Sequence, residues 1–196
     1  MQLNEETQMT NDVDEREYTL LESVAESKYA VIDNFLLEEE FEDYAHLLGS
    51  EIPMFYNDAV VSNKLRTTED YYYHVHLLYV LDQPMSEYYQ RFCYPLMSKV
   101  DMGLVTRAKV NWFPRTDTLY EHGVHIDLNY KHRNLLFYIN DNDGYTRISK
   151  TQVVESKANR ALILDGDVPH NSTTSTNTNL RCNMNINYIP LTPIFE

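Results

Sequence analysis

From Leu104 to the C-terminus the chain consists of short runs of Val, Ile, Leu, Tyr and Phe, repeatedly broken by clusters of Asn, Asp, Gly, Ser and Thr. β-Branched and aromatic residues suit a pleated, half-buried surface, and polar clusters suit turns. The pattern predicts strands near 105–113, 118–127, 133–140, 145–148, 151–156, 161–165 and 180–189, with a turn at 141–144. Successive strands of this kind restrict the fold to a sandwich or barrel. Ahead of them, 29–35 reads as a strand. Leu37, Phe41, Tyr44, Leu47 and Leu48 then recur at helical spacing as far as Gly49. A second helix is expected to begin at Pro84, with Met85, Tyr88, Phe92, Leu96 and Val100 on one face and Gly103 as its stop. The polar run 171–179 has no driving force for burial and reads as a long hairpin loop. Helices packed outside a β-sandwich are the economical architecture.

Composition bounds the partners. Of 196 residues, 43% are hydrophobic, and a chain of this size buries roughly 70% of its unfolded surface, so a core forms without disulfides. Thirty acidic against sixteen basic residues leave a net charge of −14, which opposes nucleic acid and anionic membranes. Residues 1–27 are acidic and polar and read as a flexible arm, leaving 28–196 as a single domain. No apolar run approaches the ~20 residues of a membrane span, and the N-terminus lacks the basic-then-apolar order of a secretory leader. Cys93 and Cys182 form no CxxC pair, which fits a reducing compartment; the expected location is the cytoplasm.

His125-Ile-Asp127 carries the most chemical information, because positions i and i+2 of a strand point to one face. A lone His-x-Asp also occurs as an ordinary hydrogen-bonded pair. His170, at the end of the apolar run 161–170, is a candidate third ligand, and two histidines with one carboxylate form the facial ligand set of non-haem Fe(II) sites. Farther on, alternation places Arg181, Asn183, Asn185 and Asn187 on one strand face and Cys182, Met184, Ile186 and Tyr188 on the other. The Arg181 face either meets water or points inward, where the guanidinium would need a carboxylate. His74 and His76 share a face beside Tyr71–Tyr73, a substrate groove or ordinary sheet packing. His122 is an alternative to His125 as ligand if the strand bulges there.

The order of these elements resembles the prolyl-4-hydroxylase-like branch of the 2-oxoglutarate and Fe(II)-dependent oxygenases over nearly the whole chain. Tyr29-Ala-Val-Ile-Asp-Asn-Phe-Leu36 is similar to that family's entry strand, His125-Ile-Asp127 to its His-x-Asp element, and Phe137-Tyr-Ile-Asn140 to its Tyr-Leu-Asn strand. Asp143-Gly-Tyr-Thr146 stands where the family has Gly-Gly-x-Thr, with one glycine in place of two. The run 157–164, His170 and Arg181 follow in the family's order. The resemblance implies a mainly β double-stranded β-helix (a cupin-like jelly roll) with flanking helices. It also implies a dioxygenase that couples decarboxylation of 2-oxoglutarate to C–H hydroxylation. His125, Asp127 and His170 would hold Fe2+, and Arg181 and Tyr138 would bind the distal carboxylate of 2-oxoglutarate. Asn185 would line the co-substrate pocket. Tyr120 and Trp112 are alternatives for a further pocket position, because 111–120 aligns with the family only with added residues. Ascorbate is a candidate reductant. The substrate, peptidyl or small molecule, is left open, with the acidic surface pointing to a cationic or neutral one. Two rival readings stand beside this one: a cupin-type metalloenzyme that does not use 2-oxoglutarate, and a non-catalytic jelly-roll binding module.

Overall fold

The computed structural model describes residues 19–48, 52–60 and 72–191. The expected helix stop Gly49, Tyr71 and the first eighteen residues of the acidic arm lie outside them. Within this range the strands are β1 (Tyr29–Asp33), β2 (Phe55–Asn57), β3 (Tyr73–Val80), β4 (Gln83–Pro84), β5 (Met102–Pro114), β6 (Arg133–Tyr138), β7 (Tyr145–Arg147), β8 (Val153–Glu155), β9 (Arg160–Asp165), β10 (Asn171–Ser172) and β11 (Leu180–Pro190). The helices are α1 (Glu38–Glu42), continued by a 3-10 segment Asp43–Leu48, and α2 (Tyr89–Met97).

Eight strands form one antiparallel sheet in the order β1-β9-β6-β11-β5-β3-β2, with β4 paired to β3; β10-β7-β8 form a smaller sheet. The large sheet is buried on both faces at its centre, so its strands carry two kinds of residue in alternation. Leu135 and Phe137 of β6 and Cys182, Met184, Ile186 and Tyr188 of β11 pack with Tyr44, Leu47, Phe92, Cys93 and Leu96 of the helical layer. On the other face Leu136 and Tyr138, with Leu162 and Leu164 of β9, pack with Ile148 and Val154 around the small sheet. Both cysteines are free and buried on the helical side.

Several elements depart from the sequence expectation. The first helix tightens after one α-turn into 3-10 geometry. That geometry eclipses residues three apart and buries Tyr44 and Leu47 together, while Leu48 is left exposed. Tyr44 Oη then donates to the Phe92 carbonyl at 2.6 Å and ties the two helices together. Pro84 does not start a helix: it pairs with Tyr79 across a two-residue hairpin, with Leu81 and Asp82 at φ 47° and 61°, and α2 begins at Tyr89. Residues 118–127 do not form a continuous strand but touch the small sheet through single bridges, Glu121 to Thr173 and His125 to His170.

The polar run after His170 is not a solvated loop. Asn171 and Ser172 form β10 against β7, and Thr173, Thr174 and Ser175 are buried. Their hydroxyls satisfy backbone groups in place of water: Tyr145 N–H donates to Thr173 Oγ1 at 2.8 Å and Tyr120 N–H to Thr174 Oγ1 at 3.0 Å. Residues 19–27 run beside the small sheet, with Val24 buried and its N–H donated to Gln152 Oε1 at 3.0 Å. Among the described residues no helix is long and apolar enough to cross a membrane.

Candidate metal centre and anion pocket

The site lies between the two sheets, where 121–127 passes β10 and faces the polar side of β11. His125 and His170 are locked together by reciprocal backbone hydrogen bonds, each N–H to the other's carbonyl at 2.9 Å. That pairing sets their rings 4.8 Å apart between centroids. His125 Nδ1 lies 3.1 Å from the Gly123 carbonyl and His170 Nδ1 lies 3.0 Å from that of Val168. A carbonyl can only accept, so each Nδ1 carries the proton and each Nε2 is left as a lone pair. Asp127 completes the group: one potential ligand atom from each of the three residues lies within 4.8 Å of the other two. The three donors suit a divalent cation with open coordination positions.

Asp127 is held by residues the sequence reading did not connect with it. Arg107 Nη2 donates to its Oδ1 at 2.9 Å, and the amides of Asn185 and Asn187 both donate to its Oδ2 at 3.0 Å. Asn187 accepts from Arg107 Nε at 2.8 Å and also bonds Asn134. Burial alone would raise the Asp127 carboxyl, but the Arg107 guanidinium, the two imidazoles and Lys109 outweigh it and hold it well below the usual carboxylate range. Burial, and next the neighbouring His170, push His125 down to about 4, which keeps its Nε2 unprotonated near neutral pH. Burial and then the Arg107 charge push Lys109 down to about 8.

Arg181 projects inward from the other end of the same β11 face and is completely buried. Its Nε donates to Ser156 Oγ at 2.9 Å, and its guanidinium carbon lies 5.2 Å from the Phe113 ring and 5.8 Å from the Tyr138 ring. Nη1 is buried without a partner, and no described carboxylate pairs with the group. Burial pulls Arg181 down to about 10, still protonated at neutral pH. Tyr138 donates its hydroxyl to Thr146 Oγ1 at 2.8 Å. Gly144 is required by close approach: a Cβ there would come within 2.6 Å of Arg181 Cδ and of the Thr174 carbonyl oxygen.

The structure separates the two aromatic alternatives. Trp112 sits opposite Cys182 and packs on the helical side, away from Arg181. The Tyr120 ring lies 5.6 Å from that of His122. His122 is buried, with Nδ1 bonded to the Ser172 carbonyl at 2.9 Å and Nε2 without a partner. It is not among the three clustered ligand residues. Burial, then the Arg181 charge, push it down to about 3, so it is neutral beside the guanidinium. His76 is a packing residue, its two nitrogens bonded to the Pro53 carbonyl and Ser86 Oγ at 2.6 and 2.7 Å.

No protein-family model matches the chain, and no curated protein matches it. Solved structures do. It is similar to a 2OG-Fe(II) oxygenase family oxidoreductase from Burkholderia pseudomallei, at 11% identity over 83% of this chain and 85% of that one, with a TM-score of 0.57. A prolyl-4-hydroxylase from Pseudomonas putida aligns at 13% identity over 82% and 92%, TM-score 0.54. HygX from Streptomyces hygroscopicus, solved with nickel and 2-oxoglutarate bound, aligns at 12% identity over 86% and 88%, TM-score 0.52. The shared property is the fold: the jelly roll of the 2-oxoglutarate and Fe(II) oxygenases, with its helical layer.

Proposed function

We propose that this protein is a 2-oxoglutarate-dependent Fe(II) dioxygenase, a hydroxylase of the prolyl-4-hydroxylase type. In this reading His125, Asp127 and His170 hold the iron, and Arg181 holds the distal carboxylate of 2-oxoglutarate. The observation that carries it is the pairing of two features on one sandwich interior: a His-Asp-His cluster with both Nε2 atoms turned inward, and a buried guanidinium without a counter-charge. Burying an unpaired arginine costs several kcal/mol, so its retention fits a pocket completed by an anion. Its planar fork suits a carboxylate gripped through two parallel hydrogen bonds.

Fe(II) with 2-oxoglutarate and O2 supplies C–H oxidation, the co-substrate leaving as succinate and CO2. The chain's own residues bind and orient. Gly123 and Val168 fix the two imidazole tautomers, Arg107 and the two asparagines fix the carboxylate, and the Phe113 and Tyr138 rings pack beside the Arg181 guanidinium. Tyr138, Asn185 and Tyr120 are proposed to line the co-substrate pocket. No protein nucleophile or general base is needed, and ascorbate would serve only to keep iron reduced.

The test is succinate formation from 2-oxoglutarate by purified protein with Fe(II) and ascorbate under air, without added substrate, together with anaerobic 2-oxoglutarate binding. The wild type is expected to bind 2-oxoglutarate and release succinate, and His125→Ala to abolish turnover. Arg181→Ala should weaken co-substrate binding by roughly tenfold to a hundredfold, the range for one charge-assisted pair. Metal binding without any 2-oxoglutarate binding would leave the cupin-type reading; absence of both would leave the binding module.

A further inference from the structure

Lys109 is the one charged side chain on the inner face of β5 and β11 that the oxygenase reading leaves without a task. It follows Arg107 and precedes Asn111 on that face, opposite Asn185, which itself bonds Asp127. Its ammonium lies 5.7 Å from the centroid of the Tyr73 ring and, among the described residues, makes no hydrogen bond or ion pair. An aromatic face attracts an ammonium through its quadrupole but accepts none of its N–H donors in the way an anion would.

The other interior charges are accounted for. Arg107 pairs with Asp127, Arg147 with Glu121 and Arg133 with Asp165, and Arg181 is assigned to the co-substrate. A divalent metal and a dianionic co-substrate cancel each other. With Asp127 offset by Arg107, the charges of Arg181 and Lys109 both remain in the loaded site, and Lys109 is the one not assigned to a carboxylate, although the whole chain is at −14. Position separates it from the Arg181 pocket: Arg181 is wholly buried, whereas Lys109 is half-buried and thus reachable from solvent. Lys109 lies opposite Asn185, which donates to Asp127 at the metal end, whereas Arg181 lies opposite Phe113, four residues farther along β5.

From this arrangement we infer that Lys109 anchors an acidic group, carboxylate or phosphate, of the compound that is oxidised. The preferred substrate is therefore an anion, opposite to the cationic or neutral partner that the overall charge suggests. The inference rests on the oxygenase reading and names the substrate class of the same site.

The experiment uses the full chain loaded with Zn(II), which binds without turnover, and 2-oxoglutarate. Ligand-observed NMR then measures dissociation constants for N-acetyl-L-amino acids against their C-terminal amides, and for N-acetyl-O-phospho-L-serine amide against N-acetyl-L-serine amide, so that each acid is an anion and each partner is neutral and carboxylate is separated from phosphate. At least one acid is expected to bind about tenfold tighter than its neutral partner. Lys109→Met should reduce that ratio to within about twofold, and Lys109→Arg, which keeps the charge, should retain it. A panel in which no acid outbinds its neutral partner, or a preference that survives Lys109→Met, overturns the inference. So does a loss of more than about tenfold in 2-oxoglutarate affinity in Lys109→Met, which would move the lysine into the co-substrate site. Wild-type protein that fails to bind 2-oxoglutarate ends the oxygenase reading instead, and the anion preference is then decided on the metal-loaded form alone.

Discussion

Asp127 accepts three hydrogen bonds from the chain itself, and the hub of that network is Asn187. Its amide nitrogen reaches both Asp127 and Asn134, and its amide oxygen receives Arg107. Outer-sphere partners of this kind typically change metal affinity by 10–100-fold when removed. Asn187→Leu, similar in volume and unable to hydrogen-bond, is expected to weaken Co(II) or Fe(II) binding by about tenfold. It should also cost about 1–3 kcal/mol of stability through the stranded polar groups; metal titration calorimetry and urea unfolding measure the two. The ligand candidates were legible as a His-x-Asp pair and a histidine that closes an apolar run, but 118–127 is not a strand, and the His125–His170 bridge, not strand phase, sets their positions. The network was not legible. Arg107, Lys109 and Asn111 alternate with Ala108, Val110 and Trp112, a signal present in the sequence. Alternation shows two faces and leaves open which of them meets water.

Among the elements, the β3–β4 hairpin carries a visible strain. Its two turn residues, Leu81 and Asp82, both have positive φ, as the tight two-residue turn matching strand twist requires. Left-handed backbone costs an ordinary L-residue about 1–2 kcal/mol, and Asn-Gly is the pair suited to it. Leu81 is 74% exposed, so little packing is lost on replacing it. The double substitution Leu81→Asn, Asp82→Gly is expected to raise stability by about 1–2 kcal/mol, read as a higher urea midpoint at constant slope. The same turn explains why Pro84 was misread: without Gly or Asn the sequence carries no hairpin signal, and a proline before apolar residues looks like a helix start. The run 171–179 failed in the opposite sense. Thr173 and Thr174 are buried because their hydroxyls accept the backbone N–H groups of Tyr145 and Tyr120, partners about 30 and 50 residues distant in sequence.

For the whole molecule, acid is the condition that loosens the two sheets, through groups held away from their ordinary titration range. His122 is pushed from 6.5 to about 3 in the folded chain. Between those values the unfolded chain holds a proton that the folded chain does not. Stability should therefore fall with acidification by about 1.4 kcal/mol per pH unit from this group. The Arg147 hydrogen bonds hold Glu121 at about 2 against its ordinary 4.5, so its contribution is present above 4.5 and is lost as pH falls toward 2. In urea unfolding of metal-free protein between pH 6 and 4, His122 and His125, the latter held at about 4, should each add that slope, and His122→Gln should remove one proton of it. What the sequence determined by itself is the local part: period-two alternation marks strands and shared faces, and His-x-Asp marks a candidate ligand pair, because these depend on near neighbours. The tertiary structure decided what depends on the opposite sheet. Packing on both faces of β11 turned its Arg-Asn side inward, brought Arg107 to Asp127, and left Arg181 and Lys109 as interior charges. A strand's own residues cannot show which of its faces another layer will cover.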